Sequence, residues 1–150
     1  MSSTRDSANS GVGETVFGEA LVLGGLTARL AGPKDMPALG RLRARAFRGD
    51  DRADDLDDQD SRAWHLWLGL GTQADCLGAA AEPLATARLR LHMTPASLRD
   101  GYCARSYDLC ALSALSGPVL EVGRLCLEPN AAADTAQRAD LFRLMWAGIA

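Results

Sequence analysis

Two residues that could carry out acid–base and anion-binding chemistry lie three positions apart in one β-rich run. The run covers residues 119–127 (VLEVGRLCL) and carries Glu121 and Arg124 on either side of Gly123. A carboxylate beside a central strand can be partly desolvated, which raises its pKa and suits it to binding or deprotonating an amine. A guanidinium can grip a carboxylate through two parallel hydrogen bonds. The run therefore predicts a site for a substrate that has both an amine and a carboxylate.

The spacing of this pair has a structural consequence. Strict alternation along a strand places Glu121 and Arg124 on opposite faces, but a bulge at Gly123 would re-aim one of the two side chains. We therefore predict an irregularity near Gly123. In the alternative interpretation, Glu121 only forms an ion pair with Arg124.

Four more charged residues are candidates for substrate binding. Arg45 and Arg88 suit carboxylate recognition, although a solvated helix position and the exposed face of a sheet explain them equally simply. Asp58 and Asp60 suit the cationic end of a substrate or the rim of its pocket. They belong to residues 50–60, where seven of eleven residues are aspartate. This density indicates a solvated loop or a cation-binding surface, and a solvated loop is the simpler interpretation of the other five aspartates.

The elements that must position these residues follow from periodicity and turn signals. Residues 26–30 end before Gly32-Pro33 and predict a first strand, and Asp35 predicts the cap of a helix that runs to Arg48. Residues 83–92 alternate cleanly and predict a strand with one polar face, paired in a hairpin with residues 64–70. The remaining predicted elements are the strand at residues 119–127 and a helix that starts near Asp134. The order predicts an α/β (α+β) domain.

Composition excludes several functional classes. The formal net charge of −3 gives no general attraction to nucleic acid or anionic lipid. The cysteines and histidines have no zinc-site spacing, so no metal is expected. Residues 1–15 predict a disordered leader without a secretory signal, and the domain is expected at residues 16–150. We expect a cytoplasmic protein with at most peripheral contact at the inner membrane.

The last helix has no stop signal. Ile149-Ala150 offers neither a glycine cap, nor a basic last turn, nor a following proline. This predicts a chain that stops inside a longer fold, without its C-terminal strands.

Four motifs, in order, carry a resemblance to a known family. Residues 42–47 (LRARAF) are similar to LRxRVF, and residues 58–66 (DQDSRAWHL) to the DxFDxxCDHL segment, with Gln59, Ala63 and Trp64 as departures. Residues 86–89 (TARL) are similar to TxRL, and residues 120–126 (LEVGRLC) to LExGRSC, with Leu125 in place of serine. The chain resembles the ornithine-lipid N-acyltransferases, a GNAT-related group similar to the acyl-homoserine-lactone synthases.

The resemblance implies a GNAT-like acyl-CoA N-acyltransferase fold, with three layers around a central mixed sheet. It implies transfer of a (3-hydroxy) fatty acyl group from acyl carrier protein to the α-amine of L-ornithine, the first step of ornithine lipid biosynthesis. The phosphopantetheine thioester is then a substrate, and no metal or redox cofactor is expected. We assign catalysis to Glu121 and substrate binding to Arg45, Asp58, Asp60, Arg88 and Arg124. The acyl and pantetheine cleft is assigned to Val122, Gly123, Leu125 and Cys126.

One loop favours an acyl carrier protein over coenzyme A as the donor. Acetyl-CoA enzymes of this fold normally cradle the pyrophosphate in a glycine-rich turn at a helix N-terminus. Residues 130–138 (NAAADTAQR) contain no glycine and place Asp134 at the predicted helix cap. A pyrophosphate would meet a like charge there.

Two alternatives remain open. An acyl-homoserine-lactone synthase or another N-acyl-amino-acid synthase would share the arginines, the acidic pair and the ExxR motif. Those synthases usually have a tryptophan shortly after the helix phenylalanine, where this chain has Arg48-Gly49-Asp50. The alternative of another class is a truncated, inactive fragment.

Overall fold

The computed structural model describes residues 20–71, 82–101, 103–130 and 135–150, without the side chain of residue 113. The predicted leader at residues 1–15 and the predicted cap at Asp134 lie outside the described residues. The described elements are strands β1 (Leu21–Leu23), β2 (Leu26–Leu30), β3 (Trp64–Leu70), β4 (Ala85–His92) and β5 (Val119–Leu127), and helices α1 (Met36–Arg48) and α2 (Thr135–Ile149). Short 3-10 helices cover Asp60–Arg62, Pro95–Asp100, Cys103–Arg105 and Cys110–Ala114.

The five strands form one sheet in the order β1-β2-β3-β4-β5. All four strand pairs are antiparallel, so the prediction of a mixed sheet is wrong for the described residues. The physical reason is the connectivity. Each strand pairs with the next one along the chain, whereas a parallel pair needs a crossover connection. The predicted hairpin between residues 64–70 and residues 83–92 is confirmed by the pairing of β3 with β4.

The first strand pair was missed by the sequence interpretation, which placed no strand before residue 26. Gly24 and Gly25 connect β1 to β2, and both have positive φ angles, of 58° and 78°. Two-residue hairpin turns of this kind favour glycine because both positions adopt the left-handed region. Gly-Gly between two apolar runs was the available signal.

One face of the sheet packs against α2 and forms the main hydrophobic core. Leu66 on β3 pairs with Ala87 on β4, so their side chains lie on the same face. Leu141, Leu144 and Met145 of α2 cover this face and are almost fully buried. The core follows from the alternation of apolar residues along the strands.

The other face packs against α1 and carries most of the polar side chains. Trp67 of β3 is fully buried there and contacts Leu39 of α1. The α1–sheet–α2 arrangement confirms the three-layer α/β architecture that the resemblance implies. Thr86 and Arg88 on the polar face of β4 are also buried. The simpler interpretation of Arg88, as a residue on the exposed face of a sheet, is therefore wrong.

The start of α1 differs in detail from the prediction. The side chain of Asp35 makes no capping hydrogen bond to α1. Its carboxylate accepts hydrogen bonds from the Arg29 guanidinium at 2.7 and 2.8 Å and from the Gly32 N–H at 2.7 Å. Asp35 therefore ties the loop before α1 to β2. At the other end Gly49 closes the helix with a left-handed φ of 65°.

Candidate active site

An irregularity in β5 organises the site. Thr86 pairs with Cys126, but Arg88 pairs with Gly123, so β5 has one more residue than β4 between these two pairs. Arg124 lies in this bulge with a φ of 49°, a left-handed conformation that non-glycine residues rarely adopt. The predicted irregularity near Gly123 is confirmed, with the strained residue one position later.

The bulge turns Arg124 toward the α1 face, where Glu121 also lies. The Arg124 guanidinium is 3.3 Å from an Asp57 carboxylate oxygen and 3.5 Å from one of Asp55. It also lies over the Phe47 ring of α1, at 5.7 Å from the ring centre. Strict alternation would have turned this side chain toward α2. The bulge thus places Glu121 and Arg124 on one face of the sheet.

Glu121 does not pair with Arg124. One carboxylate oxygen is 2.8 Å from His92 Nε2, and the other accepts the Cys103 N–H at 3.0 Å. Burial acts to raise the pKa of Glu121, but the hydrogen bonds from Cys103 and His92 outweigh it and hold the pKa below its ordinary value. The expectation of a raised pKa is therefore wrong. Donors that point at the ionised form stabilise it, so Glu121 is a carboxylate at neutral pH.

Residues 50–60, which we call the acidic segment, fold back onto buried arginines. Asp60 accepts a hydrogen bond from Arg43 at 2.8 Å, and Arg88 is 3.3 Å from the same oxygen. Arg88 also bonds Asp57 at 2.8 Å. Burial acts to raise the pKa of Asp60, and the Asp57 backbone, Arg43 and Arg88 together lower it. A solvated loop is therefore wrong for Asp55, which is buried and pairs with Arg48 and Arg124, whereas Asp57 pairs with arginines and stays exposed.

A histidine completes the buried cluster. His65 Nδ1 lies 2.7 Å from the Arg43 guanidinium, and His65 Nε2 lies 3.1 Å from the Asp60 carbonyl oxygen. Burial is the main cause that lowers the pKa of His65. Arg43, Asp60, His65 and Arg88 form what we call the ionic cluster, and it holds the acidic segment against the sheet.

A polar pocket of about 240 Å³ opens beside the bulge. Its walls come from the acidic segment, from the 3-10 region after β4 and from β5. They are formed by Asp57, Asp58, Gln59, Asp100, Gly101, Arg105 and Arg124. The pocket therefore presents carboxylates and guanidiniums together, as a zwitterionic ligand requires.

A family model described as an acetyltransferase (GNAT) domain matches residues 41–146, which is most of the chain and includes the bulge and the ionic cluster. The chain belongs to the GNAT acetyltransferase family. Comparisons with curated proteins and with solved structures found no match. Membership supports N-acyl transfer as the general reaction, which makes this GNAT domain an acyltransferase.

Three of the four predicted cleft residues of the GNAT domain are partly or fully packed. Val122 and Leu125 pack against the α2 core, and Cys126 is buried on the α1 face. Burial raises the pKa of Cys126 to about 11, so it is a neutral thiol at physiological pH. Gly123 differs, because a Cβ placed there would meet nothing within 4 Å. The open position in the predicted cleft is therefore Gly123, next to the bulge.

The predicted substrate-binding residues of the GNAT domain fall into two groups. Asp58 and Arg124 line the polar pocket, and Asp60 and Arg88 lie in the ionic cluster. Arg45 lies in the last turn of α1, and its guanidinium is 2.6 Å from Glu128, the residue that follows β5. The Glu128 hydrogen bond is the largest cause of its raised pKa. Arg45 is therefore not brought together with the other four residues.

Sequence reasoning did not select three residues that the GNAT domain places at the centre of the site. Arg43 stands in the quoted LRARAF motif, but Arg45 was chosen from it. His65 and His92 were set aside as isolated histidines. The motif was the available signal for Arg43, since a buried arginine needs a carboxylate and an aspartate-rich segment follows. For His92 the sequence held no comparable signal, because its partner lies 29 residues away.

A second, apolar cavity of about 450 Å³ lies on the α2 face of the GNAT domain. Its walls are largely aliphatic, and it meets β5 at Leu120, directly before Glu121. Two other observations concern the described residues alone. No group of three His, Cys, Asp or Glu side chains in them is arranged to hold a metal ion. None of their helices is both long and apolar enough to cross a membrane.

Proposed function

We propose that this GNAT domain transfers a fatty acyl group from the phosphopantetheine thioester of an acyl carrier protein to the α-amine of an amino acid, with L-ornithine as the acceptor. The observation that carries the proposal is the bulge in β5. It places Arg124 and the ionised Glu121 on the same face, beside a polar pocket of both charges.

The polar pocket suits an amino acid with a cationic side chain. Arg105 and Arg124 offer guanidinium groups for an α-carboxylate, which such groups bind in a bidentate manner. Asp58 and Asp100 offer carboxylates for a distal ammonium group. Ornithine presents a carboxylate, an α-amine and a terminal ammonium group. An acceptor without the cationic end would leave both acids unused.

Glu121 is the proton acceptor in the proposed reaction. The α-ammonium group gives one proton to the Glu121 carboxylate, and the resulting amine attacks the thioester carbonyl carbon. An N–C bond forms, the C–S bond breaks, and the departing sulfur takes a proton from the nitrogen, so that an amide and a free thiol result. Donors for the developing oxyanion are expected at the bulge, where backbone groups of β5 leave the ladder with β4.

The apolar cavity supports a long acyl chain as the transferred group. Its volume of about 450 Å³ falls within the roughly 300–1,000 Å³ typical of small-molecule sites. In the described sheet β5 is an edge strand. An acyl tail on the α2 face could therefore pass this edge and present its thioester at Gly123. An acetyl group would leave the cavity empty.

The sequence of residues 130–138 supports the choice of carrier protein. The segment has no glycine, and in the sequence an aspartate directly precedes Thr135, the first residue of α2. Both features oppose pyrophosphate binding. An acyl carrier protein presents phosphopantetheine without the adenosine diphosphate part of coenzyme A.

The test is an acyl-transfer assay with a long-chain acyl carrier protein thioester and L-ornithine, read by mass spectrometry of the amide product. Glu121→Gln should reduce kcat roughly a hundredfold, the lower end of what a positioned general base contributes. The matched control is Asp140→Asn, because Asp140 pairs with Arg143 on the surface of α2 and lies outside the pocket. This control should keep the wild-type rate.

Donor and acceptor panels decide the finer claims. Replacing the carrier protein by the coenzyme A thioester should lower the rate, and so should replacing ornithine by an amino acid without a terminal ammonium group. Equal turnover with both donors would refute the carrier-protein claim. Preference for a neutral acceptor would refute ornithine and favour another N-acyl-amino-acid synthase, and near-normal turnover by Glu121→Gln would remove Glu121 from its role.

A further inference from the structure

Glu121 belongs to a buried side-chain array that includes a histidine. His92 on β4 and Glu121 on β5 are 3% and 9% exposed, and both lie on the α1 face of the sheet. His92 Nε2 lies 2.8 Å from one carboxylate oxygen, and Ser97 Oγ lies 3.3 Å from His92 Nδ1. Since a carboxylate only accepts hydrogen bonds, Nε2 is the donor to Glu121. The imidazole is thus held between Ser97 and Glu121.

Gly101 lies between this array and the polar pocket. Gly101 lines the polar pocket, and a Cβ at this position would lie 3.0 Å from one Glu121 carboxylate oxygen and 3.3 Å from the other. That first distance is shorter than ordinary van der Waals contact. Glu121 is not itself a lining residue, so its carboxylate lies directly behind Gly101, and a side chain at this position would be pressed against it.

We propose that His92 is a positioning residue for Glu121, holding the carboxylate ionised and oriented toward the polar pocket past Gly101. The proposal rests on the proposed function, because it assumes that Glu121 receives the proton of the acceptor amine. His92 binds one carboxylate oxygen, the Cys103 N–H binds the other, and the Cys103 thiol adds a third bond. A carboxylate has about four acceptor positions, so one remains for the amine. Without His92 the carboxylate loses a donor that stabilises its charged form and is free to rotate away from the pocket.

The groups around the pair come from three parts of the chain. Arg90 of β4 lies opposite Glu121 in the strand register, and Arg88 lies two residues before it. The Cys103 thiol hydrogen-bonds Glu121, and burial followed by this bond raises the pKa of Cys103 to about 11. Asp100, Arg105 and Arg124 face the pocket. The variants below change none of these groups, so a shift in the titration of Glu121 reports on His92.

The experiment compares His92→Gln with His92→Asn. The glutamine amide nitrogen can take the place of Nε2 and keep the bond to Glu121, whereas the shorter asparagine reaches only the position of Nδ1. We measure the Glu121 titration by carbon-13 NMR of glutamate-labelled protein, with Glu121→Gln for assignment, together with kcat, KM and the pH profile of acyl transfer.

The asparagine variant should titrate Glu121 at higher pH than wild type, and the acidic limb of its kcat/KM profile should move the same way. Its kcat should fall roughly tenfold, as expected for one charge-assisted hydrogen bond, with the KM for the acyl donor unchanged. The glutamine variant should stay close to wild type in each measurement. His92→Leu supplies a second loss of the donor if the asparagine variant does not fold.

Equal Glu121 titrations in wild type and in the asparagine or leucine variant would overturn the proposal. So would equal losses of kcat in the glutamine and asparagine variants, because a merely structural role would not distinguish them. Failure of the proposed function looks different. In that case the wild-type protein transfers no acyl group at any pH, while the NMR titration still decides whether His92 controls Glu121.

Discussion

At the scale of single residues, the ionic cluster determines where the acidic segment lies. Arg43 is fully buried, and its guanidinium contacts Asp60 and His65. Arg88 shares the same aspartate oxygen. A buried guanidinium without its carboxylate would be strongly unfavourable, because its charge would have lost both water and partner. Asp60 therefore neutralises the charges of two arginines at once and holds this part of the acidic segment against the sheet.

Replacing Asp60 tests this dependence. Asp60→Asn should lower the free energy of unfolding by about 3 kcal/mol, the lower end of the cost of breaking a buried ion pair. The measurement is urea unfolding at pH 7. Asp58→Asn is the matched control, since Asp58 is exposed two positions earlier, and its effect should stay within about 0.5 kcal/mol. Similar effects of the two substitutions would show that the cluster does not hold the segment.

At the scale of elements, the acidic segment docks onto α1 at a glycine. The Asp55 N–H donates to the Gly40 carbonyl oxygen at 3.2 Å, and Gly40 is buried in the middle of α1. A Cβ on Gly40 would overlap the Asp54 carboxylate and lie 3.1 Å from Leu56 Cγ. The close approach of the segment therefore requires a residue without a side chain at this point.

Gly40→Ala should destabilise the protein, although alanine is favoured over glycine by about 1 kcal/mol inside an isolated helix. The overlap with the acidic segment should outweigh this preference, for a net loss of about 1–2 kcal/mol in urea unfolding.

A double-mutant cycle supplies the control for this prediction. In the background of Asp54→Ala, the carboxylate that a Cβ would meet is gone, so the penalty of Gly40→Ala should become smaller. Equal penalties in both backgrounds would contradict the proposed contact, and a stabilising Gly40→Ala in the wild-type background would contradict the docking altogether.

At the scale of the whole molecule, several buried groups couple the fold to pH. The ion pairs and hydrogen bonds described above lower the pKa values of Asp60 and Glu121 against the effect of burial. Burial lowers the pKa of His65 from its ordinary 6.5. A group whose pKa is lower in the folded state stabilises the fold above its unfolded pKa, and this contribution is lost as the pH falls through the folded pKa. All three groups therefore act in the same direction.

The free energy of unfolding should accordingly be constant between about pH 7 and pH 8 and should fall in two stages toward acid. The first stage begins below 6.5, where unfolded His65 becomes protonated. The second begins below 4.5, where unfolded glutamate and then aspartate become protonated. Urea unfolding at intervals between pH 8 and pH 3 measures both. His65→Gln should remove the first stage and leave the second, and a stability maximum below pH 5 would contradict the assignment.

The sequence by itself determined the order of most elements and one strand of the site. Alternation and turn residues predicted β2 to β5 and α1 because these signals are local, and each strand lies within a few residues of its predicted bounds. The triplet Glu121, Gly123 and Arg124 indicated both the chemistry and an irregularity in β5, which the structure places at Arg124. Glycine and two opposite charges on one β-rich run need no tertiary information to be noticed.

Only the tertiary structure decided the partners of these residues. The polar face of β4 was visible in the sequence, but not that Asp57 and Asp60 would lie against it and that Arg88 would be buried. The Arg88–Asp57 pair joins residues 31 positions apart, and the His92–Glu121 pair joins residues 29 apart. Charge and periodicity describe what a side chain is and which face of its own strand it occupies. Its partner is set by how layers distant in sequence pack, because that packing removes water and leaves each buried charge only the groups brought beside it.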